Sequence, residues 1–246
     1  MFMHRLKKGF RRAINAVGYD LVGFDYTNAR ARLRRTLERL NIRTVLDVGA
    51  NHGALGWSLR ELGYRGNIVS FEPLPEPFRE LSRRAAADSK WKAVQIGLGD
   101  RNLQMPIHVS ANSLSSSCLP MLETHENAAP QSRYQGTVMA EIRRLDEVFQ
   151  QYCPAPGPVF LKVDTQGFER KVLEGAAGIL GGVPLVQLEC SLVPLYEGGD
   201  LIEDMIGWMR GQGYDPTDMS AAFFHEGDGR LMQTDILFER RKAHQR

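Results

Sequence analysis

The sequence predicts an α/β fold: a mainly parallel, doubly wound sheet with a C-terminal antiparallel strand, preceded by a basic helical N-terminal segment. Three observations predict it. Short β-rich runs such as Thr44–Val48, Asn67–Phe71 and Pro158–Val163 alternate with amphipathic stretches of helical length, which is the rhythm of βαβ units. Four of the runs end at or beside a carboxylate, namely Asp47, Glu72, Asp164 and Glu189, and open α/β sheets bind ligands outside the carboxyl ends of their strands. The length, 246 residues, suits one such domain with a short appendage.

Taken in order, residues 1–19 place Phe2, Leu6, Phe10, Ala13 and Val17 at helical spacing among Arg5, Lys7, Lys8, Arg11 and Arg12, a basic amphipathic helix. Such a helix either docks on an anionic membrane surface or acidic partner, or caps the body with a solvated basic face. A second helix, Asn28–Leu40, carries Leu33, Leu37 and Leu40 on one side. Residues 1–43 hold eleven Lys/Arg against three Asp/Glu, so this appendage is +8 and residues 44–246, the expected catalytic domain, sum to −6 within a total of +2. Strands are expected at Thr44–Val48, Asn67–Phe71 and Lys92–Leu98, with helices at Ala54–Leu62 and Pro75–Ala87 between them. Leu103–Val109 and Val138–Leu145 read as strands around a polar, Ser-rich loop, Ser110–Pro130, long enough to serve as a lid or substrate loop. Pro158–Val163 and Pro184–Leu188 are compact apolar strands separated by a helix, Phe168–Leu180. Leu201–Gln212 is a helix stopped by Gly213, and Ala221–His225 with Gln233–Glu239 form a closing antiparallel pair.

Composition narrows the function classes. No run of 18 apolar residues is present, so no membrane-spanning helix is expected. The three cysteines, Cys118, Cys153 and Cys190, are scattered and form no CxxC, which reads against a disulfide framework or structural zinc. With no apolar signal region at the start, a cytoplasmic location is the expectation. The basic N-terminus lacks an aromatic-rich stripe, so no nucleic-acid partner is expected.

The chemistry-bearing residues begin with Asp47-Val-Gly49-Ala-Asn51-His52-Gly53, a strand running into a tight turn and a helix. Gly49 and Gly53 permit unusual backbone angles and close approach of a ligand, and Asp47 is placed to hold a ligand amine. A dinucleotide turn requires G-x-G-x-x-G, which Asn51 breaks. Adenosylmethionine has no pyrophosphate to cradle and suits an acid beside a two-glycine turn better; a purely structural turn is the remaining reading. Glu72, 19 residues after Gly53, is placed to accept hydrogen bonds from a ribose diol, or is a surface Glu at a strand end. Asp100, in Gly97-Leu-Gly99-Asp100, either meets an adenine amino group or sits in an ordinary turn.

In Lys162-Val-Asp164-Thr-Gln166-Gly167-Phe168-Glu169 a buried strand delivers Asp164 to the carboxyl edge, and Glu189 stands at the same edge of the expected neighbouring strand. Asp164, Glu169 and Glu189 are the candidate catalytic carboxylates. Asp164 and Glu189 are also candidate Mg²⁺ ligands, because a hydroxyl acceptor needs a base or a metal to become nucleophilic. The alternative is that these acids cap a helix or pair with Lys162 or Arg170. His52, His125 and His225 are weaker candidates for a base.

The runs DVGANHG, FEPLPEPF, GLGD, LKVDTQGFE with VLEGA, and QLE, in that order, resemble the FkbM family of methyltransferases from about Thr44 to Glu189. The resemblance implies a Rossmann-like class I methyltransferase fold, S-adenosylmethionine as donor, and O-methylation of a sugar in a glycan, glycolipid or natural product. It places Asp47, Gly49, Asn51, Gly53 and Glu72 at the donor and Asp164, Gly167 and Glu169 near the reaction centre. Ser115-Ser116-Ser117 resembles a family segment that touches substrate or cofactor. Mg²⁺ is implied by related sugar and macrolide O-methyltransferases. A nicotinamide-dependent oxidoreductase and a non-catalytic scaffold that uses residues 1–43 are the competing readings.

Overall fold

The computed structural model describes residues 23–153 and 157–241, with 14 and 18 besides. The basic helix expected over residues 1–19 lies outside the described residues, apart from those two positions. The chain divides into two units, Met1–Arg39 and Leu40–Arg246. In the first, α1 spans Ala29–Arg39. Asn28 starts it by accepting the Ala31 N–H on its Oδ1 at 3.1 Å, an N-cap bond that satisfies one of the free amides of the first turn.

The second unit is built on a seven-stranded sheet. Its strands and helices are β1 Thr44–Val48, α2 Ala54–Glu61, β2 Asn67–Phe71, α3 Pro75–Ala85, β3 Trp91–Val94, β4 Gly97–Leu98, β5 Leu103–Ser110, α4 Glu123–Ala128, β6 Tyr134–Arg143, α5 Leu145–Tyr152, β7 Val159–Val163, α6 Glu169–Glu174, α7 Ala177–Leu180, β8 Leu185–Ser191, α8 Ile202–Gly211, β9 Tyr214–Phe224 and β10 Leu231–Arg240. The large sheet runs β3-β2-β1-β7-β8-β10-β9. β1 pairs in parallel with β2 and β7, β7 with β8, and β2 with β3; only β10 runs against its neighbours β8 and β9. This is the α/β, mainly parallel arrangement expected from the sequence, with the strand order switching sides between the parallel neighbours β1 and β7.

β1 is buried along its whole length, as a central parallel strand covered on both faces must be. Leu46, Val48, Phe71, Leu161, Val163, Leu188 and Phe238 meet in the main core. Among the described residues no helix is long and apolar enough to cross a membrane.

Three expectations are corrected. The run Lys92–Leu98 is not one strand. β3 stops at Val94, and Gly97–Leu98 leaves to pair in parallel with Ile142–Arg143 in a separate sheet of order β4-β6-β5. The stretch 110–130, expected to be a loop, is not one throughout. His108 and Ser117 exchange backbone hydrogen bonds of 2.8 and 3.1 Å, and α4 follows. Finally, β9 begins at Tyr214 rather than Ala221, running through Asp215, Pro216 and Asp218. Those residues disfavour a central strand, but β9 is the edge of the sheet, where proline and charge are tolerated.

Candidate active site

The carboxyl ends of β1, β2 and β7 open into a cleft closed on one side by the small sheet. Asp47, Gly49, Asn51, Glu72, Lys162 and Asp164 give it a polar wall; Leu55, Ile96, Leu98, Ile107, Ile142 and Phe168 give it an apolar one. Its empty space, about 880 Å³ counted out to the open mouth, opens to solvent at the strand ends.

The turn after β1 is held in left-handed backbone at Gly49 (φ 75°) and Asn51 (φ 48°). Both the Gly49 and Ala50 amides donate to the Phe71 carbonyl, at 3.1 and 3.0 Å. A β-carbon on Gly49 would lie 1.8 Å from the Asp164 carbonyl oxygen, so only glycine fits. Gly49→Ala is expected to cost on the order of 3 kcal/mol or more in stability, read by urea unfolding, because a backbone oxygen must move as well as a strained φ be held. A loss under 1 kcal/mol would show that this contact relaxes freely.

Glu72 fastens the same turn. Its Oε2 accepts the Asn51 N–H and its Oε1 the Leu74 N–H, both at 2.8 Å. Burial pushes its carboxyl up to about 7, against the pull of those two amides. Asp47 is 1% exposed. Its Oδ2 accepts from Ser70 Oγ at 3.1 Å, and Ser70 in turn accepts the Trp91 indole N–H at 3.0 Å. Asp47 Oδ1 is buried with no partner among the described residues. Buried polar atoms are nearly always paired, so an orphaned carboxylate oxygen on a cleft wall marks a place for a ligand's donor. Burial raises the Asp47 carboxyl above its usual range, with the Lys162 charge opposing.

At the end of β7, Lys162 Nζ lies 2.6 Å from Asp164 Oδ2. Burial alone would lower the Lys162 ammonium; Asp164, Asp47 and Asp235 overcome it and hold the group above its ordinary value. Gln166 Nε2 donates to Asp164 Oδ1 at 2.8 Å and to Glu189 Oε2 at 2.6 Å. Burial, then the neighbouring charges of Asp164 and Asp235, push Glu189 well above the carboxylate range. Two of the three expected catalytic carboxylates are thus brought together, although only Asp164 lines the cleft itself.

The third, Glu169, is placed elsewhere. Its Oε1 accepts the Thr165 N–H at 2.8 Å and its Oε2 the Gly167 N–H at 3.0 Å. It shapes the turn before α6 and, unlike Glu72, is not among the residues that line the cleft. Asp100 is also displaced from its expected role. It lies in a separate hollow beyond Phe168 and Ile142, within 3.1 Å of Arg101 Nη2 and 3.5 Å of Lys171 Nζ, whose charges claim it. Gly53 (φ 82°) caps α2 and packs against Leu81 and Trp91, 2.9 Å from where its β-carbon would be, not against the cleft.

His125 is 1% exposed and stands edge-on to Tyr196 at 5.1 Å; burial lowers it to about 4, and it does not line the cleft. His225 Nδ1 accepts the Gly227 and Asp228 amides, a turn function. Of the serines, Ser116 and Ser117 line the cleft, whereas Ser115 Oγ turns to Ser132 Oγ at 3.0 Å.

The expected Mg²⁺ site does not fit this donor set. Among the described residues no group of three His, Cys, Asp or Glu side chains is disposed to hold a metal ion. Asp164 is engaged by Lys162 and Gln166, and Glu189 by Gln166.

Gln166, Ser113 and Tyr196 are site residues that sequence reasoning did not single out, and Lys162 was named only as a pairing partner for one of the acids, which it is for Asp164. A lysine inside an apolar β-run was a usable signal, since a buried lysine is rare unless paired. Gln166 sits in left-handed backbone (φ 55°), which nothing local announces. Ser113 reaches the cleft by a hydrogen bond from Asn51 Nδ2 at 3.1 Å, and Tyr196 donates to Gln166 Oε1 at 2.7 Å. Both contacts depend on tertiary folding.

A family model described as the methyltransferase FkbM domain matches residues 47–216, more than half of the chain. The methyltransferase sdnD of Sordaria araneosa is 29% identical over 153 residues, covering 53% of this chain and 59% of that protein, so the match spans less than two thirds of the relative. The crystal structure of a methyltransferase FkbM from Methylobacillus flagellatus aligns with a TM-score of 0.49 at 14% identity, over 80% of this chain and 44% of the other. A candidate tRNA (m1A22) methyltransferase of Streptococcus pneumoniae, solved with S-adenosyl-L-methionine, aligns with a TM-score of 0.46 at 12% identity, over 86% and 73% of the two chains.

Proposed function

The chain belongs to the FkbM family of methyltransferases, and we propose that it transfers the methyl group of S-adenosylmethionine to a hydroxyl of a sugar, in a glycan, glycolipid or natural product. The observation that carries the donor assignment is the unpaired Asp47 Oδ1 on the cleft wall, beside the Gly49–Asn51 turn and Glu72. Asp47 takes the ammonium of the donor's methionine part, and Glu72 accepts the hydroxyls of its ribose. The apolar wall of Ile96, Leu98 and Phe168 flanks the flat ring.

Bound S-adenosylmethionine supplies an electrophilic methyl group on a positively charged sulfur. The chain's work is to hold an acceptor hydroxyl in line with that group, which supplies most of the acceleration, and to receive its proton. Asp164 stands at the cleft with Glu189 behind it, and this pair of carboxylates takes the proton. The sugar assignment rests on the family resemblance and on carboxylates suited to hydroxyl acceptors. Basic residues 1–43 favour an acceptor carried at an anionic surface.

Calorimetric titration with S-adenosylhomocysteine and, separately, NAD⁺ tests this. Binding of the homocysteine alone is the expected result. Heat from NAD⁺ alone would replace the reading with a nicotinamide-dependent one.

A further inference from the structure

The failure of the metal site to fit has a specific cause: one side chain occupies the place between the two carboxylates. Gln166 is 9% exposed, and its side-chain amide is used completely. Nε2 gives one N–H to Asp164 Oδ1 and the other to Glu189 Oε2, at 2.8 and 2.6 Å. Oε1 accepts the Tyr196 hydroxyl at 2.7 Å. The two carboxylates fix which end of the amide is nitrogen, because a carboxylate oxygen accepts and so faces the NH₂ end, while the Tyr196 hydroxyl, which can donate, meets the carbonyl end. The main chain is fixed as well: Gln166 stands at φ 55°, and its carbonyl accepts Ser117 Oγ at 2.7 Å.

A divalent cation between two carboxylates does two things: it cancels charge and it sets geometry. In this chain the two tasks are divided. Lys162 brings the charge, 2.6 Å from the far oxygen of Asp164. Gln166 brings the geometry, with no charge of its own.

We propose that Gln166 is a positioning residue that stands where a metal ion would otherwise bridge Asp164 and Glu189, so that proton removal from the acceptor is arranged by an amide and an ammonium with no bridging metal. The inference rests on the methyl-transfer reading only for what the carboxylates do; the replacement itself is a statement about cation binding and is tested without an acceptor.

The probe is Mn²⁺, followed by its paramagnetic resonance signal in the full chain. Wild type is expected to show no saturable Mn²⁺ site that depends on Asp164 or Glu189. Gln166→Glu, which exchanges the amide for a third carboxylate, is expected to bind one Mn²⁺ at least about tenfold more tightly than wild type, and the gain should vanish on adding Glu189→Gln. Circular dichroism checks the fold of each variant. If Gln166→Glu does not fold, Gln166→Ser vacates the same place and is expected to gain Mn²⁺ affinity in the same direction. Saturable Mn²⁺ binding by wild type that Asp164→Asn or Glu189→Gln abolishes would overturn the proposal. So would folded variants at position 166 that gain no affinity. A wild type that failed to bind S-adenosylhomocysteine would sink the donor assignment and leave the Mn²⁺ result standing.

Discussion

Asp47→Asn is expected to weaken S-adenosylhomocysteine binding by about 2–4 kcal/mol, on the order of 30- to 1000-fold in Kd, while leaving the ligand-free fold as stable as wild type or more so. The two effects share one cause. Asp47 Oδ1 is buried with no partner among the described residues, so the ligand-free protein carries a desolvated carboxyl oxygen that a ligand's donor would relieve. Its folded carboxyl is held above the ordinary range. The sign follows: the contribution to stability is favourable below the unfolded value and is lost as pH rises through the raised folded one. Above that raised folded value the buried charge opposes folding, and asparagine removes that opposition while keeping an acceptor for Ser70. Thermal unfolding and calorimetry on the same sample decide it. Loss of binding together with a clear drop in Tm would mean that Asp47 is part of the scaffold. Glu72 adds a pH signature: since burial holds it near 7, homocysteine affinity is expected to fall between pH 8 and pH 6, and Glu72→Gln should flatten that dependence.

Asp164→Asn is expected to do the reverse, sparing donor binding to within about threefold while cutting methyl transfer at least about 100-fold, the range for removal of a proton acceptor. Asparagine retains an oxygen for Lys162 Nζ and a side chain of the same shape, so the Lys162 ammonium is not stranded as it would be in Asp164→Ala. Transfer of a tritiated methyl group to the glycosides that wild type accepts gives turnover, and calorimetry gives donor affinity. A variant with full turnover would remove Asp164 from the chemistry. One that loses both properties together would make it a donor ligand.

The course of the large sheet was legible because its parallel strands are buried on both faces and therefore read as compact apolar runs; β1 and β2 fall where their residues predict. The half of the cleft proposed to hold the donor was legible for a related reason. Its residues lie on one strand-turn-helix and at one strand end, so sequence distance reflects spatial distance. The acceptor half was legible only in part. Asp164 and Glu189 were visible as carboxylates at strand ends, yet the residue that joins them, Gln166, shows itself only through a left-handed backbone and a partner, Tyr196, 30 residues away. Glu169 and Asp100 had the right residue types at plausible positions. What removed them was competition from nearby donors, the Thr165 and Gly167 amides for one and Arg101 and Lys171 for the other. Lys92–Leu98 looked continuous because a strand that changes sheets keeps its apolar character.

The contact between Gly49 and the Asp164 carbonyl bears on how such an enzyme can change its substrate over generations. The Gly49–Asn51 turn, to which the proposed function gives the donor, and the Asp164–Gly167 turn, to which it gives the acceptor's proton, abut through main-chain atoms, so their separation is indifferent to most side-chain replacements. The small sheet of β4, β5 and β6 and the serine-bearing stretch 110–117 form other walls of the cleft and take no part in that abutment. A mutational scan should find those walls permissive, apart from Ser113 and Ser117, which bond Asn51 and Gln166, and position 49 intolerant, and a library built to recruit new hydroxyl compounds should diversify the former and leave the latter alone.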